Sequence, residues 1–278
     1  MEVMNRIFFT ENEGLYAIIA NKLKNLNKNI KKISTGWTNI VLDIESDNEN
    51  YIVKLPRDDF WANHIIKDAD ASNFVRNNMN INTGDMKIFY DNGRPFSIHK
   101  KIKGNSLTEK LQSLKKEEID VIARQLAHVF YAFHSFNISK LPEELKIRYY
   151  DFVSNLPKLD KNKYDFSYFD EMLDDEDKEE QVFVHGDLNI GNIILNDNNE
   201  IEAIIDYSFC GLGDVYTDLS IFGCRVDDEF FAKLLDEYQK ISNKKLNMEK
   251  MENRKKLRQY IEKEYIAFMK VNHPEISI

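Results

Sequence analysis

Residues 182–220 constrain the fold of this 278-residue chain more than any other segment, because short apolar runs alternate there with polar loops. The apolar runs are 182–184, 193–195 and 203–205. Runs of this length are typical of buried strands, and the NDNN sequence between the second and third predicts a turn. The segment therefore predicts short strands that carry Asp187, Asn192 and Asp206 in the loops at their ends.

These three polar side chains are the types that phosphoryl transfer requires. Asp187 can orient an attacking hydroxyl or accept its proton, while Asn192 and Asp206 supply the oxygen ligands that Mg²⁺ prefers. Catalysis of this kind depends on positioning and charge stabilisation, so a carboxylate with an ordinary pKa suffices. The simpler interpretation is a polar turn capped by Asp and Asn side chains. We favour the catalytic interpretation because several independent features of the segment agree with it.

Composition excludes several other classes of protein. The chain has 38 basic and 47 acidic residues and a net charge of -9, whereas nucleic-acid binding requires a basic surface. Hydrophobic residues make up 42%, enough for a substantial core. The two cysteines, Cys210 and Cys224, have neither zinc-site nor disulfide-framework spacing. With no signal-like start and no apolar run long enough for a membrane span, we expect a cytoplasmic protein that binds neither nucleic acid nor membrane.

The hydrophobic pattern of residues 1–102 predicts a small lobe of antiparallel strands with packed helices. Residues 12–28 and 62–79 have helical spacing. Alternating, β-rich runs that are separated by turn sequences predict two pairs of strands, 40–44 with 51–55 and 86–90 with 96–102.

Residues 103–278 predict a second, mainly helical lobe. The Lys-Gly-Asn sequence at 103–105 is a plausible hinge. Apolar residues recur at helical spacing from residue 117, and a charged, aromatic-rich helical insertion is expected at 141–181. The pattern is helical again over 226–278. We therefore expect an α+β fold with two lobes.

The sequence HGDLNIGN, followed by IIDYSFCGLGD, resembles the aminoglycoside phosphotransferase family, whose kinase-like enzymes are related in fold to choline kinases and protein kinases. His185, Gly186, Asp187 and Asn192 match the family's HGDxxxxN loop, and Asp206 matches its second metal-binding aspartate. The resemblance covers nearly the whole chain. It implies a bilobal protein-kinase-like fold, Asp187 as the catalytic residue, Asn192 and Asp206 as Mg²⁺ ligands, and ATP or GTP as the phosphoryl donor.

The resemblance also implies a set of nucleotide-binding residues. Lys54, in the strand YIVKLP, corresponds to the lysine that contacts the α- and β-phosphates. This lysine normally pairs with a helix glutamate, but no Glu occurs between residues 50 and 108. Asp68, fourteen positions after Lys54, has the best spacing for this partner, and Asp70 is the second choice.

Further positions follow from the same resemblance. Those expected to lie over the phosphates are Ser34, Thr35, Gly36 and Thr38. Residues 97–102 are expected to line the purine pocket. Phe209 stands where the family often has a second acidic residue, which is a departure from its pattern. We expect Asp218 to support the catalytic loop and His185 to have a structural role.

The acceptor is the least constrained part of the prediction. The acidic composition of 141–181 and 250–278 suits a cationic small molecule such as an aminoglycoside, which would make the enzyme a resistance factor. Choline, ethanolamine or a sugar is the alternative acceptor, and a nucleotide-binding pseudokinase is the non-enzymatic alternative. We expect a monomer or a weak homodimer.

Overall fold

The structure is a computed structural model that describes residues 19, 23, 29–33, 38–45, 49–57, 59–149 and 179–272. Ser34, Thr35 and Gly36 of the predicted phosphate loop lie outside these residues, as does most of the predicted insertion at 141–181. Of the predicted helix at 12–28, only Ile19 and Leu23 are described, and both are helical.

An antiparallel five-stranded sheet forms the N-terminal part of the described chain, with strand order β1-β2-β3-β5-β4. Its strands are β1 (Asn29–Ile33), β2 (Asn39–Glu45), β3 (Tyr51–Pro56), β4 (Lys87–Asp91) and β5 (Arg94–Lys100). Strand β1 was not predicted, because its sequence NIKKI has a weak alternating pattern. The turn between β4 and β5 uses Asn92 and Gly93, both with positive φ, as a two-residue hairpin loop requires.

Side-chain alternation divides this sheet into an apolar face and a polar face. Residues such as Leu42, Val53 and Phe96 form one hydrophobic cluster and are fully buried. The opposite face carries Lys54, which pairs in register with Ser97 of β5. Helix α1 (Asp59–Asn78) packs against β3, β4 and β5. The sheet therefore presents Lys54 beside α1.

The C-terminal part of the described chain is mainly helical. Its helices are α2 (Leu107–Lys110), α3 (Lys116–His134), α4 (Val215–Gly223), α5 (Asp228–Ser242) and α6 (Met248–Asn272). Helix α3 packs along α5, and α4 packs against α6. Aromatic side chains fill part of the shared core, where Phe130, Phe133 and Phe222 are fully buried. Burying large apolar surfaces of this kind supplies most of the stability of such a helical unit.

Five short strands lie among these helices, in two small sheets. They are β6 (Asn105–Ser106), β7 (Val182–Val184), β8 (Ile193–Leu195), β9 (Ile201–Ile204) and β10 (Gly211–Gly213). Strand β7 pairs with β10, and β8 pairs with both β6 and β9. Strands β6 and β10 were not predicted, since strands of two or three residues are too short to show a periodic pattern. Together with the helices, this arrangement is the α+β bilobal, kinase-like fold.

Two further points concern the predicted boundaries and membrane spans. The described start of the predicted helical insertion, residues 141–149, contains a short 3-10 turn at Glu143–Leu145. Within the described ranges, no helix combines the length and the apolar character needed to cross a membrane.

Candidate active site

Residues 185–192, the predicted catalytic loop (hereafter the catalytic loop), follow directly from strand β7, and Asp218 of α4 holds the first residues of this loop. The backbone N–H groups of His185 and Gly186 donate to the two carboxylate oxygens of Asp218, at 2.9 and 2.8 Å. Both bonds are charge-assisted because their acceptor is a carboxylate. They are shielded from water because Asp218 is fully buried. The short helix α4 thereby sets the direction in which the loop leaves the strand.

Helix α4 is itself fixed at its N-terminus by a buried ion pair. Asp214 caps the helix by accepting from the backbone N–H of Thr217 at 2.9 Å. Its second carboxylate oxygen accepts from Arg254 of α6 at 2.8 Å, and both side chains are 1% exposed. The pair therefore ties α6 to the helix that carries Asp218.

His185 connects the catalytic loop to the loop after β9. Its Nδ1 accepts from the backbone N–H of Asp187 at 3.3 Å, and its Nε2 lies 3.1 Å from the carbonyl oxygen of Ile205. These two contacts place a ring proton on Nε2, which faces a carbonyl oxygen. The ring packs on Tyr207 at 4.5 Å between centroids. Because both nitrogens bond to backbone, a structural role fits the geometry better than proton transfer.

Asp187 lies at the centre of the catalytic loop, next to Asn192. The Asn192 Nδ2 donates to the backbone oxygen of Asp187 at 2.8 Å and contacts its carboxylate at 3.3 Å. Burial raises the pKa of Asp187 above its ordinary value, and the charge of Asp206 adds to this, while the Arg258 guanidinium opposes it. The loop thus holds a partly buried carboxylate whose side chain is oriented by an amide.

Gly186 gives the loop a conformation that other residues cannot adopt. Its φ is +77°, and a Cβ atom at this position would lie 2.2 Å from the carbonyl oxygen of Phe209. Both the left-handed backbone and the close approach require glycine. The glycine of the HGD sequence therefore brings Asp187 close to the loop that follows Asp206.

Asp206, two residues after the end of β9, adopts a left-handed backbone conformation, with φ of 69°. Such a conformation is uncommon for a residue with a side chain and persists where surrounding contacts enforce it. Ser208 donates to the Oδ1 of Asp206 at 3.1 Å, and Lys54 lies 3.4 Å from the same oxygen. Burial by itself would raise the pKa of Asp206, but the Lys54 charge outweighs it and the pKa lies below its ordinary value.

Lys54 and Asp68 form a buried ion pair, although the sequence has aspartate where a glutamate was expected. The Lys54 Nζ lies 2.8 Å from the Asp68 Oδ2, and the other oxygen of Asp68 accepts from the backbone N–H of Tyr207 at 2.7 Å. Burial would lower the pKa of Lys54, but the Asp206 and Asp68 carboxylates raise it, so the lysine is charged. Asp70, the second choice for this partner, is exposed, and the ion pair of Lys54 on α1 is with Asp68.

A further cation links α1 to the same loop, since the Lys67 ammonium donates to the carbonyl oxygen of Cys210. Phe209, which replaces the second acidic residue of the family pattern, packs on Trp61 of α1 with ring centroids 6.3 Å apart. These contacts hold α1 close to the loop after Asp206. Aspartate can therefore reach Lys54 despite being one methylene shorter than glutamate.

Of the predicted phosphate loop, Thr38 is described. It lies directly before β2, where its hydroxyl accepts from the side chain of Asn39 at 2.8 Å and its carbonyl accepts from the backbone N–H of Arg57 at 3.1 Å. The predicted purine-lining stretch, 97–102, runs along the end of β5 and beyond it. Ser97 faces the same side of the sheet as Lys54 because the two pair across strands. The roles of these residues stay predictions.

The residues proposed to hold a metal fit Mg²⁺ in their chemistry. The hydrogen bonds of the Asn192 amide within the described chain are donated by Nδ2, which leaves the amide oxygen as a ligand. Asp206 offers its second carboxylate oxygen. The described residues contain no group of three or more His, Cys, Asp or Glu that could hold a metal. One amide and one carboxylate still suit Mg²⁺, which completes its shell with water and substrate phosphates.

Sequence reasoning missed two contributors to this site. Ser208 had no motif to identify it, although its spacing from Asp206 is typical of a local Ser-Asp contact. Arg258 of α6 donates to the phenol oxygen of Tyr149 at 2.6 Å, beside the catalytic loop. Arg258 and Tyr149 are 109 positions apart in the sequence, so no local pattern could have paired them.

Comparison with known proteins agrees with this fold. Among solved structures, the chain is similar to the GDP and kanamycin complex of APH(2")-IIia, with 14% identity, 95% of each chain covered and a TM-score of 0.72. It is similar to the streptomycin-ATP-APH(2")-IIa ternary complex, with 20% identity, 91% of each chain covered and a TM-score of 0.63. It also resembles macrolide 2'-phosphotransferase type I, with 17% identity, coverage of 95% and 93%, and a TM-score of 0.67.

These identities are low, so the three structures establish the fold alone. No curated protein matches the sequence. The model of the phosphotransferase enzyme family matches residues 29–253, which include both the five-stranded sheet and the catalytic loop. The chain therefore belongs to the phosphotransferase enzyme family.

Proposed function

We propose that this chain transfers the γ-phosphoryl group of a nucleoside triphosphate to a hydroxyl group of a small molecule. The observation that carries the proposal is that two sets of polar side chains meet at the loops after β7 and β9. Lys54 contacts Asp206 at 3.4 Å, and Asn192 contacts Asp187 at 3.3 Å. The first set suits the phosphates and their metal, and the second suits the acceptor hydroxyl.

Each residue has a distinct part in the proposed reaction. The acceptor oxygen attacks the γ-phosphorus as the bond from that phosphorus to the β–γ bridging oxygen breaks, which releases the nucleoside diphosphate. Asp187 orients the hydroxyl and takes its proton, which then passes to solvent. Lys54, held by Asp68, contacts the α- and β-phosphates. Mg²⁺, bound by Asn192 and Asp206, would neutralise developing charge on the phosphate oxygens.

The donor nucleotide is ATP or GTP. Both kinds of nucleotide occur among the similar structures, as ATP in the complex with streptomycin and as GDP in the complex with kanamycin. Besides Lys54 and Asp68, the described residues that we assign to nucleotide binding are Thr38 and 97–102, at the end of β5 and just beyond it. The purine itself would lie against the polar face of the sheet.

An aminoglycoside antibiotic is the first acceptor to consider, which would make the enzyme a resistance factor. Similar structures hold streptomycin, gentamicin or kanamycin. The chain also carries a net charge of -9, which favours the approach of a cationic acceptor. Choline, ethanolamine or a sugar is the alternative acceptor for the same catalytic machinery.

The test is an assay of nucleoside diphosphate release, with ATP and GTP supplied separately and with aminoglycosides, a macrolide, choline, ethanolamine and sugars as acceptors. Asp187→Asn is the catalytic variant, and Asp236→Asn, an exposed substitution on α5, is its matched control. We expect acceptor-dependent release that Asp187→Asn lowers by at least about 100-fold and that chelation of Mg²⁺ abolishes.

Two other outcomes would change the proposal. Nucleotide binding without release for any acceptor class would favour a pseudokinase. Full activity of Asp187→Asn would mean that another group positions the acceptor hydroxyl, and the role assigned to Asp187 would be wrong.

A further inference from the structure

A buried histidine, His134, links the support of the catalytic loop to the helices around it. It is the last residue of α3, and its side chain is 1% exposed. Its Nε2 lies 3.4 Å from the Oδ2 of Asp218, the carboxylate that holds the loop. Its Nδ1 lies 2.9 Å from the phenol oxygen of Tyr238 on α5, which is also buried. The proposed reaction gives this histidine no part so far.

Asp218 needs a partner for its charge as well as for its lone pairs. The carboxylate is fully buried, and the two backbone N–H groups that donate to it are neutral. An uncompensated buried carboxylate is costly, because water is absent from its surroundings. Among the described residues, His134 is the one Lys, Arg or His side chain within 4.0 Å of this carboxylate. The ring of His134 is therefore its compensating group.

The side of the ring that faces Asp218 carries a proton. An unprotonated Nε2 would direct a lone pair at the carboxylate, so Nε2 is protonated in either charge state of the ring. In the neutral ring, Nδ1 then accepts from the phenol O–H of Tyr238. The 3.4 Å separation is longer than an ordinary N–H···O bond, so the contact with Asp218 acts chiefly through charge.

Aromatic packing gives the ring of His134 a fixed orientation. The ring of Phe130, one turn earlier on α3, lies 5.8 Å away between centroids. The ring of Tyr238 lies 5.5 Å away and meets it edge to face. Both neighbours are buried, and α3 packs along α5 at this point. A ring enclosed in this way has little freedom to rotate, so Nε2 stays directed at Asp218.

We propose that His134 is a positioning residue for phosphoryl transfer. It keeps both carboxylate oxygens of Asp218 on the N–H groups of the catalytic loop, and the loop in turn places Asp187 against the acceptor hydroxyl. The inference rests on the proposed reaction and adds a residue that touches neither nucleotide nor acceptor. Since Asp187 follows His185 by two positions, a rotation of Asp218 displaces it, and such a displacement lowers kcat more than it changes nucleotide KM.

Two amide replacements of His134 separate its two contacts. The side chain of Gln reaches about as far as Nε2 and can donate to Asp218, whereas that of Asn reaches about as far as Nδ1 and can bond only to Tyr238. Both remove the ring that packs on Phe130. We expect His134→Asn to lower kcat by about 10-fold and His134→Gln by less than about three-fold, with the nucleotide KM changed by less than about two-fold in both. The measurement is steady-state release of ADP or GDP with kanamycin, choline or glucose, whichever wild type turns over.

A double replacement tests whether His134 acts through Asp218. Asp218→Asn removes the charge that the ring compensates, so adding His134→Asn to it should change kcat by less than about two-fold. A loss of about 10-fold in both backgrounds would mean that His134 acts through packing alone, and the inference would be wrong. His128→Asn is the matched control, because His128 is an exposed histidine of the same helix, and it should leave kcat unchanged.

Amide hydrogen exchange measures the hold on the loop without any turnover. NMR of the isotope-labelled protein reports the N–H groups of His185 and Gly186, which donate to Asp218. We expect these two amides to exchange at least about 10-fold faster in His134→Asn than in His134→Gln. Thermal unfolding of each variant separates a local loosening of the loop from a loss of the whole fold.

Tyr238→Phe provides a milder change if His134→Asn does not fold. It removes one oxygen, which leaves Nδ1 of His134 without its donor and the ring less firmly held. We expect kcat to fall by about three-fold and the two loop amides to exchange faster by a similar factor. Tyr131→Phe, an exposed position on α3, is its control. A Tyr238→Phe variant equal to this control in both measurements would count against the inference.

The outcomes separate this inference from the proposed function. Turnover that depends on Asp187, together with equal kcat and equal exchange in the Asn and Gln variants of His134, would overturn the inference and leave phosphoryl transfer intact. Faster exchange in His134→Asn with a wild-type kcat would overturn it as well, because the loop would then be loosened without effect on the reaction. Absence of turnover in wild type, with faster exchange in His134→Asn, would support the hold on the loop and count against the catalytic proposal.

Discussion

The replacement Asp218→Asn tests how strongly the buried carboxylate holds the catalytic loop. The carboxylate accepts from two backbone N–H groups, at 2.9 and 2.8 Å, and charge-assisted bonds contribute about 1.5–3 kcal/mol each. An asparagine keeps one acceptor and turns its NH₂ group toward the other N–H. The variant therefore regains about 0.5–1.5 kcal/mol for one neutral bond. We expect it to lose about 2–4 kcal/mol of unfolding free energy.

Urea denaturation measures this loss, and steady-state kinetics measures its effect on the loop. A small displacement of Asp187 should lower kcat by about 10- to 100-fold and change the nucleotide KM less, since Lys54 is held by Asp68 of α1 and not by the catalytic loop. Asp236→Asn is the matched control, because Asp236 is exposed on α5 and its surface ion pair is worth less than about 1 kcal/mol. A loss below about 1 kcal/mol in Asp218→Asn, equal to that of the control, would refute the reasoning.

Two further predictions concern stability. Gly186→Ala should cost at least about 3 kcal/mol and abolish activity, because the added Cβ would lie 2.2 Å from the Phe209 carbonyl oxygen. Gly93 has a similar φ of +80°, but a Cβ there would point into open space. Thermal unfolding of Gly93→Ala should therefore show a loss of only about 1 kcal/mol of unfolding free energy. Arg254→Met should cost about 3–5 kcal/mol in urea denaturation, because it leaves the Asp214 carboxylate buried without its cation; wild-type stability would contradict this.

Most of the fold could be predicted from local patterns. The β3 and β7 strands, the helix α3 and the turn at Asn92 and Gly93 have their signals within a few residues, as hydrophobic runs, helical spacing or turn residues. Strands β1, β6 and β10 carry no such signal. They exist because neighbouring strands offer them hydrogen-bonding partners, which are remote in sequence.

In the candidate site, too, some residues could be predicted from the sequence and others could not. The spacing of Asp187, Asn192 and Asp206 could be recognised because a short loop and a hairpin bring them together. The sequence did not decide whether Asp68 or Asp70 pairs with Lys54, since both lie on one helix at a spacing that suits the ion pair. The structure brings Asp68 to Lys54 and leaves Asp70 exposed, because Asp68 faces the sheet and also accepts from Tyr207.

By itself, the sequence determined the residues of the proposed catalytic and metal loops and the strands that carry them, because apolar runs, turns and spacing act over a few positions. Only the tertiary structure decided which distant groups support those loops. Arg258 meets Tyr149 across 109 positions, and Asp68 meets the Tyr207 backbone across 139. Such partners depend on how α1 and α6 pack, and packing is settled by the shape of the whole core rather than by any local pattern.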